Sequence, residues 1–137
     1  MTLEELYEEA KRLSFKYWGV AYDGEIKLVN RKWSSYNGYI RATNVCDKDG
    51  NIVGFKNYEI VLSKKRNAEH DRDWIAGILL HELVHWRLMD TGKPFRDHEE
   101  EFVKECLRVG APFSGTKTAQ QAKEKYESKT QRIREAQ

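Results

Sequence analysis

Residues 71–89 of the chain read DRDWIAGILLHELVHWRLM. Apolar side chains are so dense in this stretch that they cover most of the circumference of a helix, which predicts a helix buried at the centre of the domain. Three polar residues interrupt that apolar surface: His81, Glu82 and His85. Because burying such groups without partners costs several kcal/mol, the sequence predicts that a metal satisfies them.

The spacing of His81, Glu82 and His85 is the pattern H-E-x-x-H. Residues four apart lie on one face of a helix, so the two imidazoles project side by side and can bind one Zn²⁺ ion. Zinc lowers the pKa of its bound water to about 7, which creates a nucleophile at neutral pH. Glu82 lies one step round the helix and is the candidate general base for that water. The pattern therefore predicts a zinc site for hydrolysis, with Glu82 as the catalytic residue.

A hydrolytic zinc site has three protein ligands and one open position. Besides the two histidines of the motif, the chain contains only His70 and His98. His70 lies about three turns before the motif, roughly 16 Å away along the helix axis. The turn at 92–94 reverses the chain, which allows His98 to return to the metal and makes it the predicted third ligand. The alternative is an acid of the following helix, of which Glu101 is the best placed because it lies one turn beyond His98.

Two helical segments flank a β-prone middle region. Residues 2–18 carry an amphipathic pattern, with Thr2 as N-cap, Glu5 completing a capping box and Gly19 ending the helix. The β-prone segments are 26–29, 39–45, 52–53 and 58–62. Turn residues at 47–50 predict a hairpin, and the whole region predicts three or four antiparallel strands.

The remaining segments are a polar loop, a further helix and a tail. Residues 64–67 read as an exit loop from the sheet, and residues 97–109 as a helix closed by Gly110. Residues 114–137 hold six basic and three acidic residues and few large apolar ones, which predicts a solvated helix or a partly disordered segment. The chain thus divides into an α+β domain, 1–113, and a basic polar tail, 114–137.

The composition favours a cytoplasmic protein. The chain has 137 residues, 39% of them hydrophobic and 34% charged, with a net charge of +2. Cys46 and Cys106 form no C-x-x-C pair and are interpreted as reduced thiols, with a disulfide between them as the alternative. The acidic N-terminus has no signal-peptide core, and no apolar run approaches the roughly 20 residues that span a bilayer, so no membrane partner is expected. Basic residues at 64–66 and in the tail either contact DNA phosphates or form a solvated surface.

Other roles in the site have several candidates. An extended peptide substrate is expected to add as a strand beside residues 58–62, if these form the edge of the sheet. Trp33 and Trp86 lie near the expected cleft, where packing is favoured over substrate contact. The candidates for stabilising the oxyanion of the reaction are Tyr58, His70, Arg87 and Arg96.

These residues resemble the SprT-like family, which includes bacterial SprT and the Spartan proteases. Twelve residues separate the motif at 81–85 from His98, and Phe102 comes four positions after His98. The family pattern reads H-E-x-x-H, a Gly-containing turn, then H-G-x-x-F/W. The weaker upstream matches are Val29-Asn30-Arg31, Gly38 and Ile60-Val61-Leu62-Ser63. The resemblance covers roughly residues 3–112.

The resemblance implies a zincin-like α+β domain of the minigluzincin type: an N-terminal helix, the sheet, a central H-E-x-x-H helix, a following helix and the tail. It also implies a zinc-dependent metalloprotease, in some relatives acting on proteins crosslinked to DNA. Glu99 stands where the family usually has glycine, and the chain lacks the four-cysteine zinc ribbon of many members. In this it resembles compact members from bacteria or their phages.

Two other hypotheses stay open. One is a DNA-associated regulatory or binding module that holds zinc without catalysis, although a closed structural site has no need for Glu82. The other is a different zincin, such as a phage-associated peptidase that cleaves a repressor, which favours an acidic third ligand over His98.

Overall fold

The structure is a computed structural model that describes residues 1–30, 37–114 and 116–136, so that Trp33 lies outside the described residues. Within these ranges the chain forms five α-helices and three β-strands, which confirms the predicted α+β class. In chain order they are α1 (Leu3–Trp18), β1 (Glu25–Val29), β2 (Gly38–Cys46), β3 (Ile52–Ser63), α2 (Lys64–Glu69), α3 (Arg72–Asp90), α4 (Glu100–Val109) and α5 (Lys117–Ala136).

Helix α1 begins and ends at the predicted residues. The Glu5 N–H donates to the Thr2 hydroxyl over 3.1 Å, and the Thr2 N–H donates to the Glu5 carboxylate over 3.0 Å. This capping box satisfies two backbone donors that the first turn leaves free. Gly19 ends the helix at φ 70°, a left-handed conformation that glycine adopts without steric penalty.

The three strands form one sheet in the order β1-β3-β2. Strands β2 and β3 are antiparallel and are joined at the predicted turn, where Gly50 has φ 84°. The predicted segments 52–53 and 58–62 belong to one continuous strand, β3. The register of β3 against β2 shifts beside Asn57, whose φ is 55°.

The prediction of a wholly antiparallel sheet is wrong, because β1 pairs with β3 in parallel. A tight turn fixes the relative direction only of the two strands that it joins, and β1 is separated from β3 by the whole of β2. Residues 59–62 are paired on both sides, so the prediction that 58–62 form a docking edge is also wrong. Among the described strands, β2 is the edge strand on that side of the sheet.

Helix α3 lies at the centre of the fold, as its all-round apolar pattern predicts. It packs against α1, α4, β2 and β3. Asp71 caps its first turn by accepting a 2.9 Å hydrogen bond from the Trp74 N–H. Trp86 is 1% exposed, which confirms the interpretation of this tryptophan as a packing residue. The other buried apolar residues of α3 are Ile75, Leu79, Leu80, Leu83, Val84, Leu88 and Met89.

The predicted loop at 64–67 is wrong: these residues lie in the short helix α2. The Ser63 hydroxyl accepts a 3.2 Å hydrogen bond from the Arg66 N–H, so the last residue of β3 also caps the next helix. Polar residues occur in exposed helices as well as in loops, and here the Ser63 cap favours the helix.

Helix α4 starts at Glu100, three residues later than predicted. Before it, residues 96–99 form a turn in which the Glu99 N–H donates to the Arg96 carbonyl over 2.9 Å. The tail adopts the first of its two predicted states, the helix α5, which packs on α4. No helix in the described ranges combines the length and the apolarity needed to cross a bilayer.

Candidate metal centre

Helix α3 presents both histidines of the motif on one face, with ring centroids 5.1 Å apart. Asp97 reaches the same point from the turn between α3 and α4. Its Oδ1 atom lies 3.3 Å from Nε2 of His81 and 2.9 Å from Nε2 of His85. The ligand atoms of the three residues all lie within 4.8 Å of one another, so the group can hold a metal ion.

Two backbone carbonyls fix the orientation of the imidazoles. Nδ1 of His81 lies 2.6 Å from the carbonyl oxygen of Pro112, and Nδ1 of His85 lies 2.5 Å from that of Phe95. Because a carbonyl only accepts hydrogen bonds, each Nδ1 carries a proton and donates it. In a neutral imidazole this leaves Nε2 with a free lone pair, directed into the group. Metal-binding histidines are commonly oriented in this way.

The hydrogen-bonding roles of these three residues indicate that a positive charge lies among them. Asp97 Oδ1 is buried and has no hydrogen-bond partner of adequate geometry among the described residues. It faces the Nε2 atoms of His81 and His85, which are also acceptors when the rings are neutral. Three acceptors at such distances repel one another unless a positive charge lies among them, either as protons on both rings or as a metal ion. Two imidazole nitrogens and one carboxylate oxygen form a donor set that zinc and other transition metals accept, so these residues fit a metal.

The charges of the group shift its pKa values in the same sense. Burial raises the pKa of Asp97, but His81 and His85 outweigh it and hold that pKa below its usual range. Burial lowers the pKa of His81, but Asp97 and Glu82 outweigh it and the net shift is upward. Both shifts favour an ionised carboxylate beside a positive charge, the same charge balance that a bound cation satisfies.

Glu82 lies beside the group and is only 4% exposed. Its Oε1 atom is 3.9 Å from Nε2 of His81. In the described part of the chain its Oε2 atom is buried without a hydrogen-bond partner. Burial raises the pKa of Glu82, and the opposing effects of His85 and His81 do not cancel that rise. A buried carboxylate oxygen without a partner is destabilising, so its position is best explained by a ligand or water molecule that uses it.

The group opens onto a cavity of about 620 Å³, within the size range of small-ligand sites. Four parts of the chain form the walls: the start of β2, one face of α3, residues 95–98, and described residues from Pro112 to the start of α5. The predicted tail therefore contributes to the wall of the cavity through Ser114, Thr116, Thr118 and Ala119.

Known proteins match much of the chain in sequence. Proteins named "Protein SprT-like" from Staphylococcus aureus strains JH9, Newman and JH1 are each 30% identical to the chain over 98 residues, or 71% of its length. These matches support the assignment of the chain to the SprT-like family. The chain spans 61% of the length of these relatives. No protein-family model and no solved structure matches the chain.

The SprT-like pattern places its third histidine at His98, next to Asp97 in the turn. His98 is exposed and lines the same cavity, but it is not a member of the group of three. Its assignment as a ligand stays a prediction. Glu101, the alternative, is exposed on α4 and lines a different groove, between α4 and α5.

Sequence reasoning missed Asp97. The predicted third ligands are a histidine or an acid of the following helix, whereas Asp97 lies in the turn before that helix. The available signal was a carboxylate directly beside the predicted ligand His98. The sequence did not indicate which of two neighbouring turn residues points inward.

Of the four candidates for oxyanion stabilisation, Arg96 is the one that lines the cavity. The Tyr58 hydroxyl donates instead to the carboxylate of Asp90 over 3.1 Å. The ring of His70 stacks on that of Trp74, with centroids 3.7 Å apart. Arg96 therefore becomes the preferred candidate for this role.

Proposed function

We propose that this SprT-like chain is a zinc-dependent metalloprotease of the zincin type. The observation that carries the proposal is the meeting, in one open cavity, of the Nε2 atoms of His81 and His85 with the Oε2 atom of Glu82, which has no hydrogen-bond partner among the described residues. Two imidazoles, a third ligand and an open position are the arrangement of hydrolytic zinc sites. When bound, zinc supplies Lewis-acid activation of a water molecule and of the scissile carbonyl.

Glu82 is the general base in this proposal. Its buried Oε2 atom takes a proton from the attacking water and later returns it to the leaving amine. Burial raises the pKa of Glu82, and a more basic carboxylate takes a proton from water more readily. A purely structural metal site has no use for a buried, unpaired carboxylate at this position.

The third ligand comes from the turn at 96–99. The observed distances favour Asp97, which would complete a set of two histidines and one carboxylate. His98 is the choice of the family pattern and lines the same cavity. The two residues are neighbours in the same turn, and the observed geometry favours Asp97 as the third ligand.

The substrate is proposed to be a polypeptide that binds in extended form along β2. The first residues of β2, Gly38 to Ile40, line the cavity, and β2 has a hydrogen-bonded neighbour on one side only among the described strands. Main-chain hydrogen bonds to this edge would carry a peptide bond toward His81 and Glu82 and would impose little sequence preference.

DNA-associated proteins are the proposed source of such polypeptides. The support is the exposed pair Lys64 and Lys65 in α2 and the basic excess of residues 114–137, six basic to three acidic. Such charges attract phosphate, and the resulting affinity falls steeply with salt. A substrate held on DNA would then be delivered to the protease by the DNA itself.

The proposal is tested by metal content and proteolysis of the whole chain. Wild type is expected to retain one zinc per chain after gel filtration and to cleave a basic DNA-binding protein. Glu82→Gln is expected to keep the zinc and to lose activity by about 10²–10⁴-fold, the usual contribution of a general base. Glu8→Gln, which changes an exposed carboxylate of α1, is the matched control and should behave as wild type.

The outcomes separate the hypotheses. Stoichiometric zinc without cleavage, with or without DNA, would contradict the protease and favour the non-catalytic binding module. Undiminished cleavage by Glu82→Gln would contradict the assigned base. Equal rates with free and DNA-bound substrate would remove the DNA-associated part of the proposal and leave the rest.

A second candidate is a zincin-type peptidase that cleaves a repressor. The observation that favours it is the position of Asp97, since this hypothesis predicts an acidic third ligand. Cleavage of a single folded regulator at one site, with a general DNA-binding protein left intact, would support it over the first.

A further inference from the structure

The cavity beside the metal group has an apolar end. Residues Ile78, His81, Glu82, His85 and Met89 of α3 all line the cavity, and their spacing puts them on one face of the helix. This face therefore has an apolar residue on each side of the predicted metal site. Ile78 is half-buried, whereas Met89 is 7% exposed, so the end at Ile78 is the more accessible.

Two neighbouring parts of the chain approach α3 at this end. A Cβ atom at Gly38 would lie 3.7 Å from Cγ2 of Ile78, which shows how closely the start of β2 passes α3. A Cβ atom at Gly77 would lie 3.5 Å from the Pro112 ring, on the segment that follows α4. Both segments then add an apolar side chain to the cavity wall, Ile40 from β2 and Phe113 next to Pro112.

Phe113 also has a partner in α5. The Nζ atom of Lys123 lies 4.9 Å from the centre of the Phe113 ring. A cation at this distance from an aromatic ring is attracted to it, which favours the observed position of the ring. A residue of the predicted tail thus supports one side of the apolar end.

Few charged side chains line the described part of the cavity. Apart from the metal group with Glu82 and His98, Arg96 contributes the one charged side chain among the described lining residues. A lysine or glutamate side chain of a substrate would lose hydration against the side chains of Ile40, Ile78 and Phe113, which offer it no hydrogen bond. A leucine or phenylalanine side chain would instead gain the free energy of burial.

Resting on the proposed metalloprotease function, we propose that Ile40, Ile78 and Phe113 form a specificity pocket for a bulky apolar side chain of the substrate residue next to the scissile bond. Ile78 lies three residues before His81 and four before Glu82, or about 4.5–6 Å along the helix axis. An extended peptide places neighbouring residues about 3.3 Å apart. The residue adjoining a bond held at the metal is therefore within reach of the pocket.

The test uses peptide hydroxamates, which bind a metal through the hydroxamate and present one side chain beside it. Binding of leucine, lysine and glutamate versions to the zinc-loaded whole chain is measured by calorimetry, so the result does not depend on catalysis. The leucine probe is expected to bind about tenfold tighter or more than either charged probe. Equal affinities for the three probes, or no binding of the leucine probe, would overturn the pocket.

Variants locate the effect. Phe113→Ala should remove most of the preference for leucine, Phe113→Leu should retain it, and Ile40→Glu should shift the preference toward the lysine probe. Phe15→Ala is the control, because Phe15 is 66% exposed on α1. A thermal melt of each variant shows whether it folds. If Phe113→Ala does not fold, Phe113→Leu and Ile40→Glu test the pocket instead. An unchanged preference in Phe113→Ala and Ile40→Glu would overturn the assignment.

The experiments distinguish an incorrect assignment of the pocket from an incorrect assignment of the protease function. Discrimination among the probes without any proteolysis would keep the pocket and contradict the proposed function. Proteolysis with no discrimination among probes or substrates would keep the function and contradict the pocket.

Discussion

Helix α3 and the turn at 96–99 contribute to the same metal group but differ in how their residues are positioned. On α3, His81 and His85 are placed by helical periodicity, and buried apolar neighbours hold the helix in the core. In the turn, Asp97 and His98 are neighbours with different orientations: Asp97 reaches the group, and His98 is exposed on the cavity wall. Periodicity fixes the direction of a side chain on a helix, whereas in a turn the direction depends on the packing of the surrounding chain.

The largest effect is expected from a direct test of the two turn residues. Asp97→Ala should weaken zinc affinity by at least about 100-fold, because even residues that only orient a ligand contribute 10–100-fold. His98→Ala, the matched control one residue away, should change the affinity by no more than a few-fold. Competition with a chromophoric chelator measures both.

The reverse result would be equally informative. If His98→Ala loses zinc and Asp97→Ala does not, the turn presents His98 when metal is bound, and the family pattern identifies the ligand correctly. Asp97→Asn refines the comparison, since it keeps an oxygen at the same position and removes the charge.

The same contrast explains how much of the molecule the sequence could predict. The capping box of Thr2, the glycine that ends α1, the hairpin turn and the buried α3 all depend on neighbours within a few residues, and all are confirmed. The parallel pairing of β1 with β3 and the inward position of Asp97 depend on contacts between distant segments. Local patterns carry no information about those contacts, so the sheet direction was predicted wrongly and Asp97 was missed.

A smaller effect is expected from the contact that supports the start of the turn. The ring of Phe55, on β3, meets the ring of Phe95 edge-on with centroids 5.4 Å apart. The carbonyl of Phe95 is the acceptor for Nδ1 of His85. Phe55→Leu should therefore loosen the orientation of His85 and weaken zinc affinity by a few-fold to about tenfold, less than the loss of a direct ligand.

Ile52→Ala is the matched control, because Ile52 is on the same strand and 56% exposed. Chelator competition gives the affinities, and a urea titration of the metal-free chain separates a local effect from a general loss of stability. An affinity that falls only in proportion to stability would show that the hairpin does not position the histidine.

The smallest effect is expected at the other end of α3, where a local contact of Glu5 can be compared with a distant one. The pKa of Glu5 is lowered from 4.5 to about 2, first by the hydrogen bond from the Thr2 N–H and then by Arg72, at the start of α3. Because the folded-state pKa lies below the unfolded value, the stabilisation is present above about pH 4.5 and is lost as the pH falls toward 2. When the pH is lowered from about 5 to 2.5, the urea midpoint of the metal-free chain should therefore decrease more in wild type than in Glu5→Gln.

Arg72→Gln keeps the capping box and removes the distant ion pair, so the decrease of its urea midpoint should be intermediate. A decline in Arg72→Gln equal to that of wild type would mean that the local capping box alone lowers the pKa of Glu5, and that the contact between α1 and α3 contributes nothing to the pH dependence.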